Sequence, residues 1–348
     1  MTTALRLTDV LHEPEVLSRV DDDAWLSLLE EAESTRLTGR LMREVDRIAV
    51  QVTDRTWLRE RLDRARAFSR ECERAVAWEV RRLARAFHGC PWRWVLLKGA
   101  GYVAAGLPPA AGRRVADVDV LVPPQHLQGA AATLAEHGWH TPEMDPYDLR
   151  YYRDWMHELP PMVHEMRGSV VDLHHAILPR TSRLSADAAV LVERAVPAGP
   201  AHVLCPTHMV LHAAVHLFHD GEIAGAIRDL VDLDALLRHF SAHEPHFWRA
   251  LLEDAGALGL ERPTFYALRY ASRLLGTPVP ADTVGALASH APAAPVRSLM
   301  DQLVERTLTA PDTTRGSASA FALFVRSHWL RMPPPLLVRH VFHKVTGL

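Results

Sequence analysis

Lysine is nearly missing from this chain. Of its 39 basic residues only Lys98 and Lys344 are lysines, and the other 37 are arginines. The skew accompanies abundant alanine and reflects codon composition, so a lysine kept against it calls for a local reason. Cysteine is scarce as well. Cys72, Cys90 and Cys205 are scattered without a CxxC pair, which argues against a disulfide framework or a cysteine zinc site and for a reducing, cytoplasmic setting. Neither sign of charge is in large excess, the formal net charge being −3. No overall cationic field therefore draws the chain to phosphate polymers, and a nucleic-acid partner is not expected. No apolar run approaches the ~18 residues of a membrane-spanning helix. The opening MTTALRLTDVLHEPE lacks a long apolar run behind a basic start, so no signal peptide is expected.

What is present suits a folded protein. Hydrophobic residues make up 48% and charged residues 23% of the 348. That balance can bury a sizeable core, excludes disorder of the whole chain, and suggests two or three domains.

The pattern changes twice along the chain. Over residues 54–87, Leu58, Leu62, Ala65, Phe68, Cys72, Ala75, Val76, Val80 and Leu83 recur mostly at spacings of three or four, predicting a long helix with one buried stripe. Glu60, Glu71, Glu73 and Glu79 lie among its arginines and predict a solvated, salt-bridged outer face. Residues 92–97, 118–122 and 169–173 are short β-forming runs, and residues 125–137 between them read as a helix with Leu127, Ala131, Leu134 and Ala135 inward, ended by Gly138. Beyond Cys205 the period is helical again, with Pro206 opening one helix through His219 and residues 222–240 forming a second. There is no internal repeat and no low-complexity tract.

The chemistry concentrates in the middle. In VLLKGAGYVAAGLPPAAGRRVADVDVLVP (residues 95–123), Asp117 and Asp119 stand two apart on a strand. Both carboxylates then project from one face while Val118 and Val120 turn to the core. Adjacent acids repel unless a divalent cation lies between them, and such oxygen donors suit Mg²⁺. Upstream, a strand runs into Lys98-Gly99-Ala100-Gly101 and a short helix over residues 102–105, a glycine turn that presents N–H groups and the Lys98 ammonium to an anion. Lys98 otherwise caps the strand and points to solvent. Downstream, Val170-Val171-Asp172-Leu173-His174 carries one acid amid apolar neighbours, the third carboxylate that a two-metal phosphoryl-transfer site requires. As a half-exposed strand acid, Asp119 is expected to contribute little to stability, so Asp119→Asn should spare the fold.

Three runs together carry a resemblance: LLKG…GRRVADVDVLVP, HELPPMVHEMRGSVVDLHHAI (residues 157–177) and CPTHMVLHAAVHLFHDGEIAGAIRDLVDLDALL (residues 205–237). They resemble the uncharacterised nucleotidyltransferase family of the DNA polymerase β superfamily over roughly residues 92 to 240. The resemblance implies an α+β, mostly helical fold, with a small mixed-sheet nucleotidyltransferase core at 91–200. An N-terminal helical region at 1–90 and a C-terminal helical domain at 201–348 flank it. It implies Asp117, Asp119 and Asp172 as catalytic, metal-binding carboxylates for Mg²⁺ or Mn²⁺, and an NTP, ATP first, as donor. Lys98 and Gly99 stand where the wider superfamily keeps a Gly-Ser turn, so the grip on nucleotide differs. Arg113 matches the family's arginine before the DxD. Relatives often occur near peptide and natural-product biosynthesis genes. The acceptor is left open: a small metabolite, a peptide or a protein side chain all fit.

Other residues carry two readings each. Arg113, with Arg114, binds the triphosphate or decorates the loop before the strand. His174 lines the cleft beside Asp172 or is a hydrogen-bonded core histidine. At ~100° per residue, His208, His212, His216 and His219 fall within about 80° of one another. That stripe, with Asp220, invites a metal-dependent phosphohydrolase, and its alternatives are interdomain packing or an acceptor pocket that includes His212 and His216. Arg228 and Asp229 form an interdomain ion pair or line the substrate pocket. A nucleotide-sensing protein with a degenerate transferase core is the non-enzymatic rival.

Overall fold

The computed structural model describes residues 5–48, 55–220 (backbone only at 220), 223–309 and 317–337. Its centre is a seven-stranded sheet: β1 (Val95–Leu96), β2 (Asp117–Leu121), β3 (Trp139–His140), β4 (Met162–His164), β5 (Val170–His174), β6 (Val196–Ala198) and β7 (Ala201–Val203). The order is β3-β4-β5-β2-β1-β7-β6. Pairing is mixed, with β2 parallel to β5 and β1 parallel to β7 while the other neighbours run antiparallel. The fold is therefore α+β and mostly helical. Val118, Val120, Val171 and Leu173 are all buried, so the two central strands are held by one apolar face of alternating residues. The buried hydrophobic residues form a cluster that runs from Leu7 to Leu323, so the helices before and after the sheet share its core. No helix among the described residues is long and apolar enough to cross a membrane.

The long helix spans Thr56–Ala86 and buries Leu58, Leu62, Val76, Val80 and Leu83 as the spacing predicts. Two expectations fail along it. Phe68 is 54% exposed and Ala75 is exposed, because the middle of the helix borders open clefts instead of a packed neighbour. Glu79 is buried rather than solvated, its carboxylate accepting hydrogen bonds from Arg167 (3.0 Å) and the Ser169 hydroxyl (2.8 Å) just ahead of β5. The helix Leu127–Glu136 turns Ala130 rather than Ala131 fully inward, and Gly138 follows at φ +90°.

The expected glycine turn after β1 is also corrected. The helix Lys98–Ala104 begins at Lys98 itself, which takes φ +43°, and Gly99 and Gly101 lie within it. A Cβ at Gly101 would stand 2.8 Å from the Leu96 carbonyl oxygen. The glycine is there for close packing of helix on strand, not to make a loop.

The loop leading into β2 is fixed by the N-terminal helices. Gly112 (φ +69°) meets Gly39, on the helix Thr38–Arg47, so closely that a Cβ on Gly39 would come within 2.3 Å of the Gly112 Cα. The Gly112 N–H donates to the Ser69 hydroxyl at 2.6 Å, and Arg43 donates to the Pro108 carbonyl at 2.8 Å. After the sheet come the helix Pro206–Val215, a π-helical turn His216–Asp220, and the helices Ile227–His243 and Phe247–Ala257. The second of the expected helices thus starts at Ile227; residue 222 lies outside the described residues.

Candidate active site

Parallel register brings the acids together. Asp119 of β2 is paired with Asp172 of β5, and Asp117 with Val170, so the three carboxylates rise from one face of two neighbouring strands. Their environments differ sharply. Asp119 is 4% exposed, and its Oδ1 accepts from Lys98 Nζ at 2.8 Å and contacts His174 Nε2 at 3.0 Å. Burial alone would raise its proton affinity, but the Lys98 charge and the His174 hydrogen bond hold the carboxyl well below the usual range. Asp172 goes the other way. Burial, then the neighbouring charges of Glu158, Asp119 and Asp117, push it up to about 7. Its Oδ1 is buried without a hydrogen-bond partner among the described residues.

A fourth carboxylate joins them. Glu158 pairs by an isolated antiparallel bridge with His174, and its Oε2 lies 3.2 Å from His174 Nε2. His174 is fully buried between Asp119 and Glu158. Lys98 completes the pocket, its side chain 23% exposed. Desolvation opposes its charge, but Asp119, Glu158 and Asp117 together hold the ammonium above its ordinary range. Lys98 therefore points into the acidic pocket and not to solvent. From the helix Pro206–Val215, buried His212 feels Lys98, His174 and Asp119, and desolvation first of all keeps it neutral. His216 lies beside it, ring centroids 6.5 Å apart. Tyr152, pushed up to about 12 by burial and by Glu158 and Asp172, lies near those two acids.

The donor set fits a divalent cation. Asp117, Asp119, Glu158 and Asp172 present four carboxyl groups against one ammonium, and one buried oxygen among them lacks a partner. Hard oxygen donors of this kind match Mg²⁺ or Mn²⁺.

The remaining candidates sit elsewhere. Arg113 is ion-paired with Asp232 and reaches Asp229 at 4.0 Å, fastening the loop before β2 to the helix Ile227–His243. Its side chain is buried against Gly99, where a Cβ would meet the Arg113 Nε at 2.8 Å, and its guanidinium lies over the Tyr102 ring. Asp229 is thus bridged across elements by Arg113, while Arg228 is its own neighbour at 3.8 Å. Arg228 is lowered by burial and by Arg113, and it also feels Asp117 at the edge of the acidic pocket.

The histidine stripe is divided. His208 Nε2 lies 3.8 Å from Asp254 and 3.3 Å from Arg194, His212 faces the acidic pocket, and His219 bonds the Ser182 hydroxyl at 2.8 Å. The π-helical turn at His216 breaks the regular 100° advance on which the single stripe rested. Neither group of potential metal ligands among the described residues contains two of the four histidines; the groups are His157-Glu158-His174 and Cys205-His208-Asp254. The side chain of Asp220 lies outside the described residues.

Sequence reasoning missed Glu158, His157, Tyr152 and Asp232. The quoted HELPP run holds the first two, and the signal was an acid beside a histidine in an extended stretch next to the DLH strand. Two open clefts approach the site along the long helix. One, of about 950 Å³, is lined by Asp117, Trp78, Phe68 and Arg167. The other, of about 970 Å³, is lined by Arg36, Arg64 and Phe68. They share Phe68, Arg114 and Ala116.

No curated protein and no solved structure matches the chain. A family model described as uncharacterised nucleotidyltransferase matches residues 21–276, spanning the N-terminal helices, the whole sheet and the helices that carry His212 and Asp229. With acids of two parallel strands gathered beside Lys98 inside that span, the chain belongs to the uncharacterised nucleotidyltransferase family.

Proposed function

We propose that the protein transfers a nucleoside monophosphate from an NTP, with ATP the first donor to test, to an acceptor hydroxyl and releases pyrophosphate. The observation that carries this reading is the unpartnered, buried Asp172 Oδ1 in a pocket of four carboxyl groups, set on the register that aligns it with Asp119. Asp117, Asp119 and Asp172 would hold Mg²⁺ or Mn²⁺, and a bound cation supplies charge neutralisation and Lewis-acid polarisation of the phosphates.

The chain's own groups have separate tasks. Lys98 keeps Asp119 ionised and places a positive charge at the first residue of a helix, where the triphosphate would be gripped. Asp172, paired in register with Asp119, is the acid placed to take the proton of the attacking hydroxyl. The hydroxyl oxygen bonds to the α-phosphorus, the bond to the bridging oxygen of the β-phosphate breaks, and pyrophosphate leaves. Arg113 acts by position, tying the β2 loop to the helix of Asp229 and Asp232. His212 and His216 would border the pocket from the helical side, with Arg228 at its edge near Asp117 and Asp229 behind it on Arg113.

Pyrophosphate release from ATP, GTP, CTP and UTP, with Mg²⁺ or Mn²⁺ and a pool of hydroxyl acceptors, tests the reading. The expected result is cation-dependent pyrophosphate and an acceptor heavier by one nucleoside monophosphate. Orthophosphate in its place, or nucleotide that fails to bind with either cation, overturns it.

A further inference from the structure

The two clefts along the long helix are larger together than one nucleotide requires, since a pocket for a small ligand occupies roughly 300–1,000 Å³. They are joined through Phe68 and Arg114, and Asp117 lies at the edge of one of them. Their charge is also unusual for this protein. Three of the seven arginines that line the clefts are matched: Arg61 with Glu33, Arg74 with Glu71 and Arg167 with Glu79. Arg36, Arg64, Arg81 and Arg114 are exposed, and none has a carboxylate partner among the described residues. Four unmatched guanidinium groups along one channel make an anion-binding surface in a chain whose net charge is negative.

The lining selects among anions. A phosphate polymer, charged at every unit, would set anionic groups against Glu33, Glu71 and Glu79, whereas a polypeptide can place an apolar side chain there. Stacking of successive bases would need several free aromatic faces, and the clefts offer Phe68 alone. Trp78 is instead engaged by two guanidinium groups, Arg82 at 4.5 Å and Arg167 at 5.3 Å from its ring centroid. Spaced arginines, with apolar surface such as Phe68 between them, suit a chain that alternates carboxylates and apolar side chains. We propose that the acceptor is an extended acidic polypeptide, laid along the helix Thr56–Ala86 with a side-chain hydroxyl delivered to Asp172. This rests on the transfer reaction proposed above and names its acceptor class. The serine, threonine or tyrosine oxygen bonds to the α-phosphorus of the NTP, its proton passes to Asp172, and pyrophosphate departs. The product is a phosphodiester-linked nucleotidyl peptide.

The test uses the full chain and a fluorescein-labelled copolymer of glutamate and tyrosine, with binding read by fluorescence anisotropy in the absence of nucleotide. Arg64→Glu/Arg81→Glu changes two exposed side chains, one lining each cleft. Wild type should bind the copolymer with an affinity that falls as salt is raised, and the double variant should bind at least tenfold more weakly. Both should hold MgATP equally well and melt at the same temperature. With MgATP, wild type should then label the copolymer. No copolymer binding, or tighter binding of oligo-dT or inorganic polyphosphate, overturns the acidic-polypeptide acceptor even where MgATP binds normally. Copolymer binding without any MgATP binding overturns the transfer reading instead, so the two failures are distinguishable.

Discussion

Two buried polar clusters flank the helix Pro206–Val215, and they are built on opposite terms. At its start, Cys205, His208 and Asp254 have ligand atoms within 4.8 Å of one another, a spacing that would suit a metal. Yet Asp254 is satisfied on both oxygens, Oδ1 by Arg194 and Oδ2 by the Thr207 hydroxyl. Arg194 cancels its charge, and within the cluster only the neutral His208 Nδ1 lacks a partner among the described residues. Around β2 and β5 the account stays open: among the described residues four acids surround the Lys98 ammonium, and Asp172 Oδ1 has no hydrogen-bond partner. An unmatched imidazole nitrogen is a small cost, whereas an unmatched buried carboxylate is a large one. Closure of charge and hydrogen bonding distinguishes the first cluster from the second, and proximity of ligating atoms alone does not.

The strongest way to break this contrast is Asp172→Asn. It removes charge from the open cluster and should reduce transfer by roughly a thousandfold, given the several kcal/mol that cation-assisted stabilisation contributes. Since the lost charge was repelled by Glu158, Asp119 and Asp117, the melting temperature without ligand should stay level or rise at pH 7.5. Normal pyrophosphate release by this variant would remove Asp172 from the reaction.

Asp119→Asn, one strand away, should behave differently. The structure reverses the expectation that this change spares the fold, because Asp119 is buried and paired with Lys98 and His174. Breaking a buried pair costs about 3–5 kcal/mol, and the lower end applies because Lys98 keeps some solvent contact. Urea unfolding measures it. A midpoint equal to the wild type's would mean that Lys98 is stable without Asp119.

Asp254→Asn sharpens the comparison from the closed cluster. It should cost about 1–3 kcal/mol by leaving Arg194 and His208 without their carboxylate, and calorimetric titration should give an unchanged MgATP affinity. Weakened nucleotide binding would show that the closed cluster is coupled to the site after all.

The smallest effect is one of pH. Burial first of all lowers His175, His208 and His219 to about 4, against an ordinary value of about 6.5. The unfolded chain binds the additional protons between those values, so the stability these residues contribute is complete above pH 6.5 and is lost as pH falls towards 4. His219→Gln keeps a partner for Ser182 and should flatten the acid limb of the melting curve. An identical pH dependence would assign that limb to other groups.

How much of this was legible depended on whether the signal was local. Asp117, Asp119 and Asp172 could be read because period-two alternation with valine and leucine puts them on one face before any strand pairing is known. The order of the sheet could not, yet parallel register is what makes Asp119 and Asp172 neighbours. Glu158 escaped notice because it lies in irregular chain joined to β5 by a single bridge. The histidine stripe misled because its arithmetic assumed an unbroken α-helix across a π-helical turn. Lys98 stood out by composition, but its partner is 21 residues away, on β2.

The contact of Gly39 with Gly112 makes the front of the chain part of the mould in which the centre is cast. Two backbones touch there with no room for a methyl group, and the Ser69 hydroxyl holds the same loop from the long helix. A shortened chain beginning at residue 55 would retain Lys98 and the four carboxyl groups around it. It would lack the wall against which the loop ahead of β2 is braced, leaving Arg113, Arg114 and the entry to Asp117 without their alignment. The N-terminal helices are therefore no detachable preface, and sequence drift at Gly39 would register far away, in the aim of the acids.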